Sequence, residues 1–145
     1  MPVDSTDIAW LAGIIDGEGN VGIYNRYACV QITNNDSAII QRAERIIQTI
    51  TNCSSKTSSS KRLNRWNRTY WLHSRGGTQS THLILTTVLP YLTGRKRQIA
   101  EKVLAFTSSR LKRGISIGKP RLNQHELALL DDFRTISKVG DELFQ

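Results

Sequence analysis

The segment Leu11-Ala12-Gly13-Ile14-Ile15-Asp16-Gly17-Glu18-Gly19 constrains this chain more than any other. Asp4-Ser5-Thr6-Asp7 leads into it as a helix-start cluster, with acids at the positive end of the helix. An apolar run from Ile8 to Ile15 follows, and the chain then changes abruptly to glycines alternating with acids. Ala9, Gly13 and Gly17 recur every fourth residue, so they share one helix face. Small residues at that spacing let two helices approach closely. One chain carries one such helix, so the expected partner is the same helix of a second chain across a two-fold axis. Gly17 and Gly19 are read as permitting a sharp turn at the helix end. Such a dimer sets two copies of Glu18 close together, and like charges at short range demand protons or cations between them.

The segments that follow alternate between strand and helix patterns. Residues 21–25 and 27–33 alternate with period two, and Asn25-Arg26 between them reads as the turn of a hairpin. Val21, Ile23, Ala28, Val30 and Ile32 fall on one face of it; Gly22, Tyr24, Arg26, Cys29, Gln31 and Thr33 fall on the other. Asn34-Asn35-Asp36-Ser37 caps an amphipathic helix over Ser37–Ile50. Cys53–Lys61 and Asn67–His73 form a second hairpin around a basic turn, with Tyr70 and Leu72 inward and Thr69, Trp71 and His73 outward, although a one-residue slip would exchange these sets. Helices are expected over Thr78–Leu89, stopped by Pro90, over Arg95–Arg113, and from the cap Asn123 to about Ile136. The order αββα-ββααα makes an α+β domain. Its core spans 1–113, and 114–145 form a loop and a C-terminal helix packed on the same domain.

Charge narrows the partner. The chain has 145 residues and a formal net charge of +8. Fourteen of its Lys and Arg residues lie in 61–121, beside the single acid Glu101. A central basic block of this kind points to a polyanion. The basic residues do not line one amphipathic helix, which argues against a membrane surface. No apolar run approaches a membrane span, and the N-terminus has no leader pattern, so an intracellular, soluble protein is expected. Cys29 and Cys53 stand apart from each other and from the scattered histidines, which disfavours zinc. A calcium loop beginning at Asp16 also fails, because its sixth position is Val21 and its twelfth Tyr27.

The nine-residue segment resembles the motif of the LAGLIDADG homing endonucleases. The resemblance extends through Val30-Gln31-Ile32-Thr33-Asn34-Asn35-Asp36 and through Leu89-Pro90-Tyr91-Leu92 with Arg95-Lys96-Arg97-Gln98. It covers residues 6–110; the remainder adds little. It implies an αββαββα fold with extra C-terminal helices, a saddle-shaped antiparallel sheet, and a homodimer joined through the motif helix at Ala9, Ala12, Gly13 and Asp16. It implies site-specific cleavage of both strands of a long pseudo-palindromic DNA duplex, leaving 3′ overhangs. Glu18 and the Gly17 carbonyl would ligate Mg²⁺ or Mn²⁺, with Ca²⁺ supporting binding without efficient cutting. Asp16 would orient the motif helices, Asn34 would position water, and Arg95 or its neighbour Lys96 would stabilise developing charge. The usual basic residue after the second strand is absent, because Ala38 stands there.

A β-ribbon fits the major groove of B-DNA. The candidate DNA contacts are therefore Tyr24, Arg26, Gln31, Thr33, Lys56, Ser58, Arg62, Arg65, Arg68, Thr69, Trp71 and His73. Two alternatives use the same fold: a maturase that binds intron RNA, and a DNA-binding regulator that has lost cleavage. The basic block argues against a purely structural adaptor.

Overall fold

A computed structural model describes residues 3–52, 56–64, 67–73, 77–115 and 121–142, with side chains over 3–52, 77–115 and 121–137. The elements are α1 (Ser5–Glu18), β1 (Gly19–Tyr24), β2 (Tyr27–Asn34), α2 (Ser37–Thr51), β3 (Lys56–Asn64), β4 (Asn67–His73), α3 (Gly77–Val88), a 3-10 turn (Leu89–Tyr91), α4 (Gly94–Lys112) and α5 (Gln124–Glu142). Their order is the one expected from the sequence. Pro90 sits inside the 3-10 turn, and α5 runs on to Glu142, past the expected end at Ile136.

Two hairpins make one antiparallel sheet in the order β1-β2-β4-β3. The first closes on Asn25 and Arg26, whose φ values of 51° and 71° mark a primed turn with the twist that adjacent strands need. The phase of this hairpin is as read: Val21, Ile23, Ala28, Val30 and Ile32 are all buried beneath the helices. Pairing across the sheet sets the phase of the second. Leu72 lies opposite Ile32, while Trp71 and His73 lie opposite Thr33 and Gln31. Lys56, Ser58 and Ser60 lie opposite His73, Trp71 and Thr69. Antiparallel partners share a face, so the register places these residues on the side away from the helices.

The core lies between the sheet and the helices. α1 contributes Leu11, Ala12 and Ile15, and α2 contributes Ile40, Ala43, Ile46 and Ile47. From α3 and α4 come Ile84, Leu85, Val88, Val103 and Phe106. Burying each large aliphatic side chain stabilises the fold by about 1.5–3 kcal/mol. Outside the core, Arg42 of α2 stacks 4.3 Å above the Trp10 ring and pairs with Asp7 at 3.3 Å, fastening α2 to the first half of α1.

The end of α1 departs from the sequence expectation. Gly17 is still helical, and Gly19 has ordinary extended backbone with φ −82°. The need for glycine here is steric. A Cβ at Gly19 would lie 2.6 Å from Ile15 Cα and 2.8 Å from its carbonyl oxygen. The chain leaves the helix so tightly that only a residue without a side chain fits.

α5 is held on α4 by a buried ionic cluster. Asn123 Oδ1 accepts from the Glu126 backbone N–H at 2.7 Å, and a Glu126 carboxylate oxygen accepts from the Asn123 N–H at 3.1 Å. This is a reciprocal capping box. The same carboxylate, fully buried, also receives Ser109 Oγ at 3.0 Å, Arg110 at 3.5 Å, and Arg113. Farther along, Lys102 Nζ meets Asp132 at 2.7 Å.

Candidate functional site

The residues that matter meet where α1 hands over to β1. Glu18, the last residue of α1, is exposed, and Asn34 Nδ2 donates to its Oε2. Asn34 is itself held from the other side, because its Oδ1 accepts from the Asp36 N–H at 2.7 Å. Asp36 in turn caps α2 by accepting from Ala38 N–H at 2.9 Å. The start of α2 therefore fixes the amide that touches Glu18.

Asp16 works in the opposite direction. Its carboxylate accepts from Thr93 N–H at 3.2 Å and Thr93 Oγ1 at 2.9 Å. Thr93 is the N-cap residue of α4, yet it makes no side-chain cap to its own helix. Its hydroxyl is committed to Asp16 and ties the start of α4 to the motif helix. Thr93 was not among the residues singled out from the sequence; the signal available was a threonine just before a basic helix start.

This tie sorts Arg95 from Lys96. Lys96 Nζ donates to the Gly19 carbonyl, immediately beside Glu18 in the chain. Arg95 instead sends Nη2 to the Ser137 carbonyl of α5 at 2.8 Å. Of the two candidates, Lys96 is the one aimed at the motif. Burial pushes its ammonium below the ordinary lysine value, Asp16 opposes that shift, and Arg95 adds to it.

The small-residue face of α1 is open. Ala9, Gly13 and Gly17 are exposed, and a Cβ at Gly13 or Gly17 would meet nothing within 4 Å. Ala12, expected on the same contact surface, is fully buried in the subunit's own core. It lies one residue off the open stripe, where a helical turn of 100° carries it inward. Asp16 is half-buried and engaged with Thr93.

The outward face of the sheet carries most of the remaining candidates. Tyr24 and Arg26 are exposed, and Gln31 and Thr33 are half-buried. The Tyr24 ring folds back over Gly22, and its hydroxyl donates to Asn20 Oδ1 at 2.9 Å. Gly22 faces outward as expected but is covered by that ring. For Lys56, Ser58, Thr69, Trp71 and His73 the strand register gives the shared face described above. Strict alternation along β4 puts Arg68 with Tyr70 and Leu72 instead. Arg62 falls where the β3–β4 register shifts, between Ser60 and Asn64. Arg65 lies outside the described residues.

The donor set at the helix end suits a hard divalent cation in kind and is incomplete in number. Glu18 offers carboxylate oxygens and Gly17 a backbone carbonyl. Among the described residues no group of three or more His, Cys, Asp or Glu side chains assembles within one chain.

No family model matches the chain, and no curated protein matches it in sequence. Solved structures do match. A group I intron-encoded homing endonuclease, I-CeuI, complexed with DNA, aligns over 77% of this chain with a TM-score of 0.53 and 14% identity. The alignment spans 56% of that longer chain. A second homing endonuclease, I-TnaI, aligns over 93% of this chain and 96% of its own, with a TM-score of 0.52 and 16% identity. This is the homing-endonuclease fold. Within it, α1 and its C-cap carry the segment Leu11–Gly19, β1 to β4 form the sheet, and α4 brings its basic N-terminus to the end of that segment. Among the described residues no helix is long and apolar enough to cross a membrane.

Proposed function

We propose that this chain is a metal-dependent, site-specific DNA endonuclease that acts as a homodimer and hydrolyses one phosphodiester on each strand. The observation that carries this reading is the convergence of Glu18, Asn34, Asp16 and Lys96 at the end of a helix whose small-residue face is open.

Two chains packed through Ala9, Gly13 and Gly17 bring two Glu18 carboxylates to the axis. Glu18 and the Gly17 carbonyl are the groups that would hold Mg²⁺ or Mn²⁺. Such an ion, when bound, lowers the pKa of its water and offsets charge on the phosphate. The chain's own residues supply the positioning. Asn34 fixes the Glu18 carboxylate, and its amide is set by the α2 cap. Lys96 places a cation beside Gly19, next to the negative charge that builds on the phosphate oxygens and the leaving 3′ oxygen. Arg95 points elsewhere and takes no part in this step. Asp16 holds the start of α4 and so maintains Lys96 in place. The outward sheet face, with Tyr24, Gln31 and Thr33 on β1 and β2 and the register partners Trp71, His73, Lys56 and Ser58, lies along the major groove. A symmetric dimer reads a pseudo-palindromic site of roughly 20 base pairs.

The test is selection of binders from random duplex DNA in Ca²⁺, followed by Mg²⁺, with Glu18→Gln in parallel. The expected result is a near-palindromic consensus, cut on both strands with 3′ overhangs by the parent and bound but uncut by the variant. An enriched site that stays intact in Mg²⁺ would instead indicate a regulator. No DNA enrichment, together with binding of a folded intron RNA in a parallel titration, would indicate a maturase.

A further inference from the structure

Beside the site, on the outer edge of the sheet, lies a cleft of about 420 Å³ lined by Asn20, Tyr24, Arg95, Lys96 and Ser137, together with the apolar Val21 and Ile99. Among the described residues β1 pairs with β2 alone and is an edge strand. Three elements wall the cleft: β1, the first turn of α4, and the far part of α5. Asn20 and Tyr24 belong to the outward face of β1, so the cleft opens beside the surface proposed to lie on DNA.

Its chemistry is that of an anion site. Two cationic side chains, Arg95 and Lys96, stand side by side in it. The Ser137 carbonyl, 2.8 Å from Arg95 Nη2, fixes the orientation of the guanidinium. Arg95 is exposed, and a guanidinium is a planar donor group whose geometry matches phosphate oxygens. On the opposite wall the Tyr24 hydroxyl donates to Asn20 Oδ1 at 2.9 Å. That bond uses the acceptor end of the Asn20 amide and leaves its NH₂ as the donor end.

We infer that this cleft binds a backbone phosphodiester of the DNA next to the scissile one, with Arg95 and Asn20 as its ligands and α5 as the support that orients Arg95. The inference rests on the DNA-binding reading above. It gives Arg95 a role separate from charge stabilisation at the cut, and it gives the C-terminal helix a functional purpose. Lys96 is shared: its ammonium sits between this cleft and the Gly19 carbonyl.

Phosphate contacts show themselves in the salt dependence of binding, because each one releases about 0.9 counterions from a duplex. The measurement is the slope of log affinity against log salt concentration in Ca²⁺, for specific and for unrelated duplexes. Arg95→Gln is expected to flatten the slope by about 0.9 per bound subunit and to weaken both duplexes by the same factor. Arg95→Lys should restore the slope. Asn20→Ala removes an uncharged donor, so it should lower affinity severalfold with the slope unchanged. A merely structural Arg95 would weaken binding without changing the slope, and lysine would not rescue it. That pattern would overturn the inference, as would an unchanged affinity and slope in Arg95→Gln. A parent protein that binds no duplex at all would overturn the proposed function itself, and the two failures are told apart by the parent's own titration.

Discussion

Replacing Glu126 with alanine tests how α5 is attached. The Glu126 carboxylate is fully buried, and the Arg110 side chain beside it is 1% exposed, whereas Arg113 is 35% exposed. Without the carboxylate, Arg113 can turn to solvent. Arg110 cannot, and its charge stays in the interior without its acid. Removing one partner of a buried ion pair costs about 3–5 kcal/mol, and the capping contact to Asn123 contributes within that range. For 145 residues the entropy of unfolding is about 0.3 kcal/mol per degree, so the midpoint should fall by roughly 10–16 °C. Glu126→Gln keeps an acceptor for Asn123 N–H and Ser109 Oγ and should fall by less. Differential scanning calorimetry, with urea unfolding to obtain the free energy, reads both. A midpoint loss below about 3 °C for the alanine variant would mean that Arg110 finds other compensation and that the cluster does not lock α5.

Three further outcomes follow from the geometry. Gly13→Leu places a Cβ where nothing lies within 4 Å and raises helix propensity by somewhat less than the ~1 kcal/mol that separates Gly from Ala, so the isolated subunit should be no less stable while sedimentation shows the monomer mass and cleavage is lost. Gly19→Ala forces a Cβ to 2.6 Å from Ile15 Cα, and urea unfolding should report a loss of about 1–3 kcal/mol. Lys96 has a folded pKa depressed by burial below its ordinary 10.5. Its charged form therefore opposes folding at neutral pH. That penalty is relieved as pH rises through the folded value towards 10.5. The parent should gain stability relative to Lys96→Met across that alkaline window, as measured by paired urea midpoints; a constant difference would remove the desolvation argument.

Local pattern carried the elements and the phase of the first hairpin. Val21, Ile23, Ala28, Val30 and Ile32 alternate in sequence and are buried together, because period two maps directly onto the two faces of a sheet. The resemblance marked Glu18 and Asn34 separately, one as a metal ligand and one as a residue that positions water; the hydrogen bond between them, across sixteen residues, was not read from the sequence. Other features depended on tertiary approach. The role of Gly19 is a clash with Ile15, which composition does not show. Ala12 resembles its neighbours Ala9 and Gly13 in size, and only its angular position assigns it to the core. The choice between Arg95 and Lys96 turned on which way the first turn of α4 faces, and that is set by Thr93 on Asp16. Asn123-Gln124-His125-Glu126 has the spacing of a capping box. Nothing local marks Glu126 as buried, because its partners Arg110 and Arg113 lie in the last turn and at the C-cap of the preceding helix.

The bonds from Thr93 to Asp16 and from Lys96 to Gly19 each span 77 residues. On a chain growing from its N-terminus at about 5–20 residues per second, that separation is a delay of roughly 4–15 s. α1 and its carboxylates are made first and wait through that interval for α4. Translation itself thus orders the assembly of the centre: the acids come early, the lysine and the tether that holds it come late, and a chain interrupted before residue 93 has neither.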